Sequence, residues 1–400
     1  MNETPLIDKG GRMEEVLREY FLELGYFVIR GAKYTFENCE ITDVDLWLYQ
    51  RTSSFSRERF NVDIKNKRTP QALERILWAK GLQQCLRLDG ALVATTDLRP
   101  VLKDFGDQNH VVLLDGNLLS KLKKRYHGST RRMSEEEWTA MMRGDKSNRV
   151  GMEWVGRIAA AKSRVLAQLD FDGCNSHLND TRYFAEQILM VPHKSQIACR
   201  LFYMSLALAL VTLDFIVRDF AFIERQLQAD ALNDGLRFGT LGKQGAEKVF
   251  STAAKIAAAY LRGQNVRPAE LVKQLRQESM TFPVEILAEY FLKFNQGKAL
   301  FDIANSFESL AFNNKFESPA MLSPEHRGLI GAILDFHRVE RKTFFDVFAT
   351  TPVASAGKSA ESVPLAKDSQ PEFRIESEGS LKPLSAAPSS DLLLPNKPEQ

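Results

Sequence analysis

Two stretches near the start of the chain place acids and a lysine at strand spacing. Residues 42–49 read TDVDLWLY and residues 61–67 read NVDIKNK. Side chains two apart on a strand share a face, so Asp63 and Lys65 project together while Val62 and Ile64 turn away. Asp43 and Asp45 are likewise on one face of the earlier run. If the two runs pair as a hairpin, Asp45 and Asp63 converge and a lysine stands beside two carboxylates. Two carboxylates, completed by waters and a phosphate oxygen, form the hard oxygen environment that Mg²⁺ prefers, with Mn²⁺ as a substitute. Such an ion polarises a phosphodiester and lowers the pKa of a bound water. A lysine at that distance orients the water or offsets charge building on the phosphoryl group.

Asp-x-Lys on a strand is common, and a solvated strand carries such pairs without chemistry. The flanking residues argue against that account here. Val44, Leu46 and Leu48 surround the first acids, and Val62 and Ile64 surround the second. Burying strands that carry acids is costly unless the acids have a partner such as a metal. Basic residues gather at Lys65, Lys67 and Arg68, where phosphate contact is the favoured reading. A second group, Lys121, Lys123, Lys124, Arg125, Arg131 and Arg132, suits either phosphate contact or a solvated helix. Lys80 shares the stripe of Leu73, Ile76 and Leu77, so it points toward the sheet or snorkels. Other catalytic patterns are missing. The six histidines form no H-E-x-x-H. There is no G-x-S-x-G elbow. The run GTLGK at 239–243 lacks both the glycine spacing and the hydroxyl of a phosphate-binding loop.

These residues need elements to hold them. Met13, Val16, Leu17, Tyr20, Phe21 and Leu24 recur at helical spacing, and Gly25 ends that helix. Strand-like runs follow at Tyr26–Ile29, Ile41–Leu48 and Phe60–Ile64. Leu73, Ile76, Leu77 and Leu88 predict a helix after Pro70. Ala91–Thr95 and Val111–Leu114 read as buried strands. The order α-β-β-β-α-β-β is that of an α/β domain.

The ordered set resembles the PD-(D/E)xK nucleases, the restriction-endonuclease-like superfamily. Within it the chain is similar to Mrr-like restriction enzymes and Holliday-junction-resolvase relatives, over residues 11 to about 126. The opening helix ending in Leu24-Gly25-Tyr26 resembles the family's helix before its first strand. Residues 43–46 (DVDL) resemble its first acidic motif, and residues 62–65 (VDIK) its second. Residues 111–119 resemble the closing strand, turn and helix of the Mrr-like branch. The resemblance implies Asp45 and Asp63 as metal ligands, Lys65 as the catalytic lysine and Glu14 as a further metal-proximal acid. Glu15 could serve in its place, and an exposed first-turn glutamate that favours the helix dipole is the plainer account. The family allows Asp or Glu at the position of Asp63. Where relatives carry glutamine after the lysine this chain has Asn66, and Gln83 or Gln84 on the next helix could make a similar contact. DNA as substrate, and a restriction, defence or repair setting, are implied by the resemblance alone.

Beyond the first zone the composition shifts. Ser134 and Glu137 have the spacing of a capping box. Helical periodicity then runs to about Phe348, clearest at Val155–Leu169, Ile197–Val217, Ala246–Leu261, Val284–Phe294 and Leu329–Phe348. Seven of the 15 prolines lie beyond residue 350, which predicts a disordered tail. The expected organisation is a nuclease domain at 1–126, a mixed central sheet flanked by helices. A basic linker at 127–133, an all-helical domain at 134–348 and a tail at 349–400 follow. The net charge of +2 gives no overall bias toward nucleic acid. Cys39, Cys85, Cys174 and Cys199 form no C-x-x-C pair, which argues against a zinc site and fits a reducing cytoplasm. The apolar run Leu201–Leu213 is shorter than the roughly 20 residues a bilayer span takes. No signal peptide and no membrane association are expected.

The function expected is Mg²⁺-dependent endonuclease action on nucleic acid, DNA by resemblance. Its predicted contacts are Lys67, Arg68, Lys80, Gln84, Lys123, Lys124 and Arg125. The helical region is expected to bind nucleic acid or a protein partner, or to support a homodimer. The alternative is a catalytically silent nuclease fold that binds nucleic acid or scaffolds a complex.

Overall fold

A computed structural model describes residues 9–37, 39–65, 71–126, 132–144, 149–260, 267–294 and 299–349. Asn66, Lys67, Arg68, Pro70, Arg131, most of the basic linker and the tail beyond residue 349 lie outside the described residues.

Helix α1 (Lys9–Glu23) leads into three strands, β1 (Phe27–Phe36), β2 (Cys39–Arg51) and β3 (Arg57–Lys65). Helix α2 (Ala72–Cys85), strand β4 (Gly90–Thr95), helix α3 (Val101–Gln108), strand β5 (Val111–Leu114) and helix α4 (Gly116–Arg125) follow. The strands form one sheet in the order β1-β2-β3-β4-β5. β1, β2 and β3 pair antiparallel, whereas β3, β4 and β5 run parallel. Antiparallel neighbours can be joined by short turns, whereas parallel ones need a crossover. The crossovers are α2 and α3. The mixed sheet with flanking helices is therefore as expected, but α3 was not: Val101–Gln108 is a short helix between the last two strands.

Alternation buries β2 on both faces. Leu46 and Leu48 pack with Met13, Leu17 and Phe21 of α1 and Leu119 and Leu122 of α4. Trp47 and Tyr49 join a second core that extends through the helical region. Helix α2 covers the remainder of this second face, where Ile76 and Ala79 meet Ala91, Val93 and Val111.

The apolar stripes are narrower than periodicity predicted. Leu24 is half exposed because α1 has already ended, at Gly25 with φ +85°. That left-handed conformation suits glycine and stops the helix. In α2 the buried residues are Ala72, Ile76 and Ala79, whereas Leu73 and Leu77 face outward. Small side chains let the helix axis approach the sheet, so the contact face is set by alanines rather than leucines. Leu88 lies beyond this helix and is buried.

The helical region comprises α5 (Glu135–Arg143), α6 (Arg149–Arg164), α7 (Phe171–Met190), α8 (Ser195–Val217) and α9 (Arg225–Phe238). It continues with α10 (Gly242–Tyr260), α11 (Pro268–Met280), α12 (Val284–Phe294), α13 (Ala299–Phe312), α14 (Pro324–Phe336) and α15 (Arg341–Ala349). The capping box is formed in both directions: the Glu137 N–H donates to Ser134 Oγ at 3.2 Å and the Ser134 N–H donates to Glu137 Oε2 at 2.8 Å. α6 ends at Arg164, short of the predicted Leu169. The predicted helix Leu329–Phe348 is two helices, broken where Arg338 takes φ 57°. α8 is the axis of the core, sheathed by α7 and α13. The segment Pro192–Phe220 is long and apolar enough to cross a bilayer, but its most apolar window is wholly buried inside the protein.

Candidate metal and phosphate site

The paired ladder of β2 and β3 ends at Leu46↔Val62, so Asp45 and Asp63 stand next along the two strands. Beyond that pair the backbone N–H of Ile64 turns to a side chain instead of a strand, donating to Asp45 Oδ2 at 2.7 Å. Lys65 ends β3 and reaches back between the acids. Its Nζ lies 3.8 Å from Asp45 Oδ2 and 3.7 Å from Asp63 Oδ1. Asp45, Asp63 and Lys65 thus share one spot, at the ends of β3 and β4 that also bear Thr95. Asp43 sits two residues outward, exposed and opposite Lys33.

Burial raises the Asp45 carboxyl to about 6, against the pull of Lys65 and the Ile64 N–H. The negative charges of Asp63 and Glu14 push it the same way as burial. Asp63 has a further partner that strand spacing does not reveal. Arg75, in the first turn of α2, forks onto it, with Nε donating to Oδ2 at 2.8 Å and Nη2 to Oδ1. Its signal in the sequence was its place between Ala72 and Ala79, on the small-residue face that meets the sheet.

Glu14 lies close enough to charge the site but is held elsewhere. Arg30 of β1 donates Nε to Glu14 Oε2 at 2.7 Å and Nη1 to Glu15 Oε1 at 2.7 Å. The same guanidinium binds Glu136 of α5 with both Nη groups. Glu15 is half-buried in this network and also accepts from the Glu135 N–H at 3.0 Å. Arg18, Lys162 and Arg132 complete it through Glu135 and Glu308. Glu14 and Glu15 of α1 therefore tie the sheet to the helices.

The other predicted contacts do not gather at the acids. α2 runs back along β3, since Arg75 meets Asp63 while the carbonyl of Ala79 accepts from Asn61 Nδ2 at 3.2 Å. Lys80, half-buried, and Gln84, exposed, lie progressively farther along that helix. Gln83 donates to the Leu88 carbonyl at 3.3 Å, a turn contact. Lys123, Lys124 and Arg125 are exposed in the last turn of α4. Arg125 pairs with Glu23 at 2.6 Å, just before the start of β1, where Phe27 pairs with Tyr49. Tyr49 is about 13 Å along β2 from Asp45, at ~3.3 Å per residue. This basic group marks the opposite end of the sheet, and a helix C-terminus is where cations are favoured without a ligand.

Among the described residues no three acid, histidine or cysteine side chains gather as a metal-holding group. Mg²⁺ is usually held by one or two carboxylates with waters and substrate phosphates completing the shell. The donor chemistry of Asp45 and Asp63 fits that pattern once Arg75 leaves Asp63. The four cysteines are all free thiols.

No family model matches the chain, and searches of curated proteins and of solved structures return no match.

Proposed function

We propose that the chain is a Mg²⁺-dependent endonuclease of restriction-endonuclease-like fold that hydrolyses phosphodiester bonds in DNA. The observation that carries this reading is the meeting of Asp45 and Asp63 on the ammonium of Lys65. A structural ion pair needs one acid and one cation; here two acids converge on one ammonium although Asp63 already has Arg75 as its partner. Asp45 and Asp63 would hold the ion, with Mn²⁺ able to replace Mg²⁺. When bound, the ion supplies polarisation of the phosphodiester and an activated water. Asp45 is positioned by the Ile64 N–H on Oδ2, which leaves Oδ1 for the ion. Lys65 donates a hydrogen bond to the attacking water or to a phosphate oxygen, and the two acids fix its ammonium. Lys67 and Arg68 follow directly in the chain and supply phosphate contacts. The helical region would bring a protein partner, a second copy or further nucleic acid to this centre. A cytoplasmic restriction, defence or repair setting suits such an enzyme.

The test is nicking of supercoiled plasmid with Mg²⁺ or Mn²⁺. Lys65→Ala and Asp45→Asn should each lower the rate by about 100-fold or more, the scale of losing an electrostatic catalyst. Chelation should abolish it. Cleavage that persists undiminished in Lys65→Ala removes the assignment of the lysine.

A second reading has its own support. Asp63 is saturated by Arg75 and Glu14 is committed to Arg30. That arrangement suits a catalytically silent fold that only binds nucleic acid or scaffolds a complex. DNA binding without any metal-dependent nicking is its expected outcome.

A further inference from the structure

We infer that Arg75 is a lock on the candidate metal site: its guanidinium occupies the face of Asp63 that a divalent cation would take, and the ion must displace it. The inference rests on the nuclease reading only in requiring that Asp45 and Asp63 bind such an ion.

The geometry makes the two occupants exclusive. Arg75 engages both oxygens of Asp63, Oδ1 and Oδ2, while Lys65 approaches Oδ1 at 3.7 Å. Asp63 has 8% of its side chain exposed, so neither oxygen has open solvent in which to take a metal alongside the fork. Charge points the same way. Asp45 and Asp63 are balanced by Lys65 and Arg75, giving a neutral cluster. Adding a divalent ion without losing a cation would leave an excess of two positive charges in a half-buried site. Departure of the guanidinium removes one of them.

The displaced group has somewhere to go. Arg75 and Trp78 are one turn apart on α2, and the guanidinium carbon already lies 5.4 Å from the indole ring. Trp78 is 44% exposed, so the ring offers a solvent-facing seat for a cation. Release therefore exchanges a bidentate carboxylate for water while the guanidinium stays beside the Trp78 ring. A forked arginine–carboxylate pair is among the stronger polar contacts. The lock thus sets the ion concentration at which the site loads.

The experiment uses the full chain and Mn²⁺ as the probe, with binding read by calorimetry and by tryptophan emission. Trp47, Trp138 and Trp154 are fully buried and Trp78 is exposed, so the Trp78→Phe variant isolates its share of the emission. Arg75→Gln should tighten Mn²⁺ binding by about tenfold or more, and Arg75→Lys, which keeps charge but loses the fork, should fall between. In the wild type, Mn²⁺ should change Trp78 emission, and Trp78→Phe should silence that signal while leaving the calorimetric heat. An unchanged or weaker Mn²⁺ affinity in Arg75→Gln overturns the lock. If Asp45→Asn still abolishes binding in that case, the metal site itself stands. If neither the wild type nor Arg75→Gln takes up Mn²⁺, the metal site falls and the lock with it.

Discussion

Asp45, Asp63 and Lys65 were legible because strand alternation is a strict rule: residues two apart share a face, and a hairpin brings the acids together. Arg75 and Arg30 were not, because their partners depend on how a helix docks on a sheet, which residue spacing within one element does not encode. The same blindness hid Asp214. It interrupts the apolar surface of α8 yet is wholly buried, and it accepts from Tyr49 at 2.5 Å, Arg51 at 2.7 Å and Arg57 at 2.6 Å. Two buried guanidiniums depend on this one carboxylate. Burial and the neighbouring Asp214 charge also hold the Tyr49 hydroxyl well above its ordinary pKa, so it stays a neutral donor. Asp214→Asn keeps the shape and removes the charge, leaving Arg51 and Arg57 uncompensated. Breaking a buried pair from one side costs about 3–5 kcal/mol. Urea denaturation at neutral pH should show a loss of that order, with the midpoint shifted and the slope unchanged. A loss below about 1 kcal/mol would mean that water reaches this cluster and that Asp214 is dispensable.

At the scale of elements, the strands and the first helix followed from periodicity, whereas several helices did not. α3 has eight residues, about two turns, too short for a period to emerge. The break between α14 and α15 was hidden because Phe336 and Val339 keep apolar side chains on the core across it, while Arg338 at φ 57° turns the backbone. His337 caps α14 at that break and points its Nε2 at Thr181 Oγ1 of α7, 3.2 Å away. Thr181 donates its own proton to the Leu178 carbonyl at 2.6 Å, so its oxygen is left to accept from a neutral imidazole. Burial, then the positive charge of Arg182, lowers the His337 pKa to about 4. The unfolded chain therefore binds the proton more readily than the folded one. The stability His337 contributes is complete above its unfolded pKa, near 6.5, and is lost as pH falls toward 4. The loss is at most about 3 kcal/mol, at 1.36 kcal/mol per unit. His177, also buried neutral, acts in the same direction. His337→Gln should remove only its own share, so the gap in unfolding free energy between the variant and the wild type should change between pH 7 and pH 4.5. A constant gap would show that His337 ionises freely in the folded state.

At the scale of the molecule, the composition shift near residue 126 marks where helix–strand alternation gives way to helices, and the packing crosses it. Phe27, Ile29, Trp47 and Tyr49 of the sheet share one core with α6, α7, α8 and α13. Residues 9–349 accordingly fall within a single compact unit. The ionic ties run the same way: Arg18 of α1 pairs with Glu308 of α13 at 3.0 Å, and Arg30 of β1 with Glu136 of α5 at 2.7 Å. Composition records which elements form and is silent on which faces meet, so this continuity was beyond the sequence. It bears on the candidate site, because Arg30 binds Glu14 with one edge and Glu136 with the other. Cutting after residue 126 would expose four large apolar side chains on one sheet face and leave Arg18 and Arg30 without their acidic partners across the cut. Hydrophobic burial of such side chains is worth about 1.5–3 kcal/mol each, comparable in sum to the whole stability of a domain. The fragment 1–126 should therefore be aggregated or unfolded and should not bind Mn²⁺. The full chain should melt in one calorimetric transition with equal van't Hoff and calorimetric enthalpies. Two resolved transitions, or a well-dispersed amide spectrum from the fragment, would instead make the sheet an independent unit and the helical region a separable neighbour.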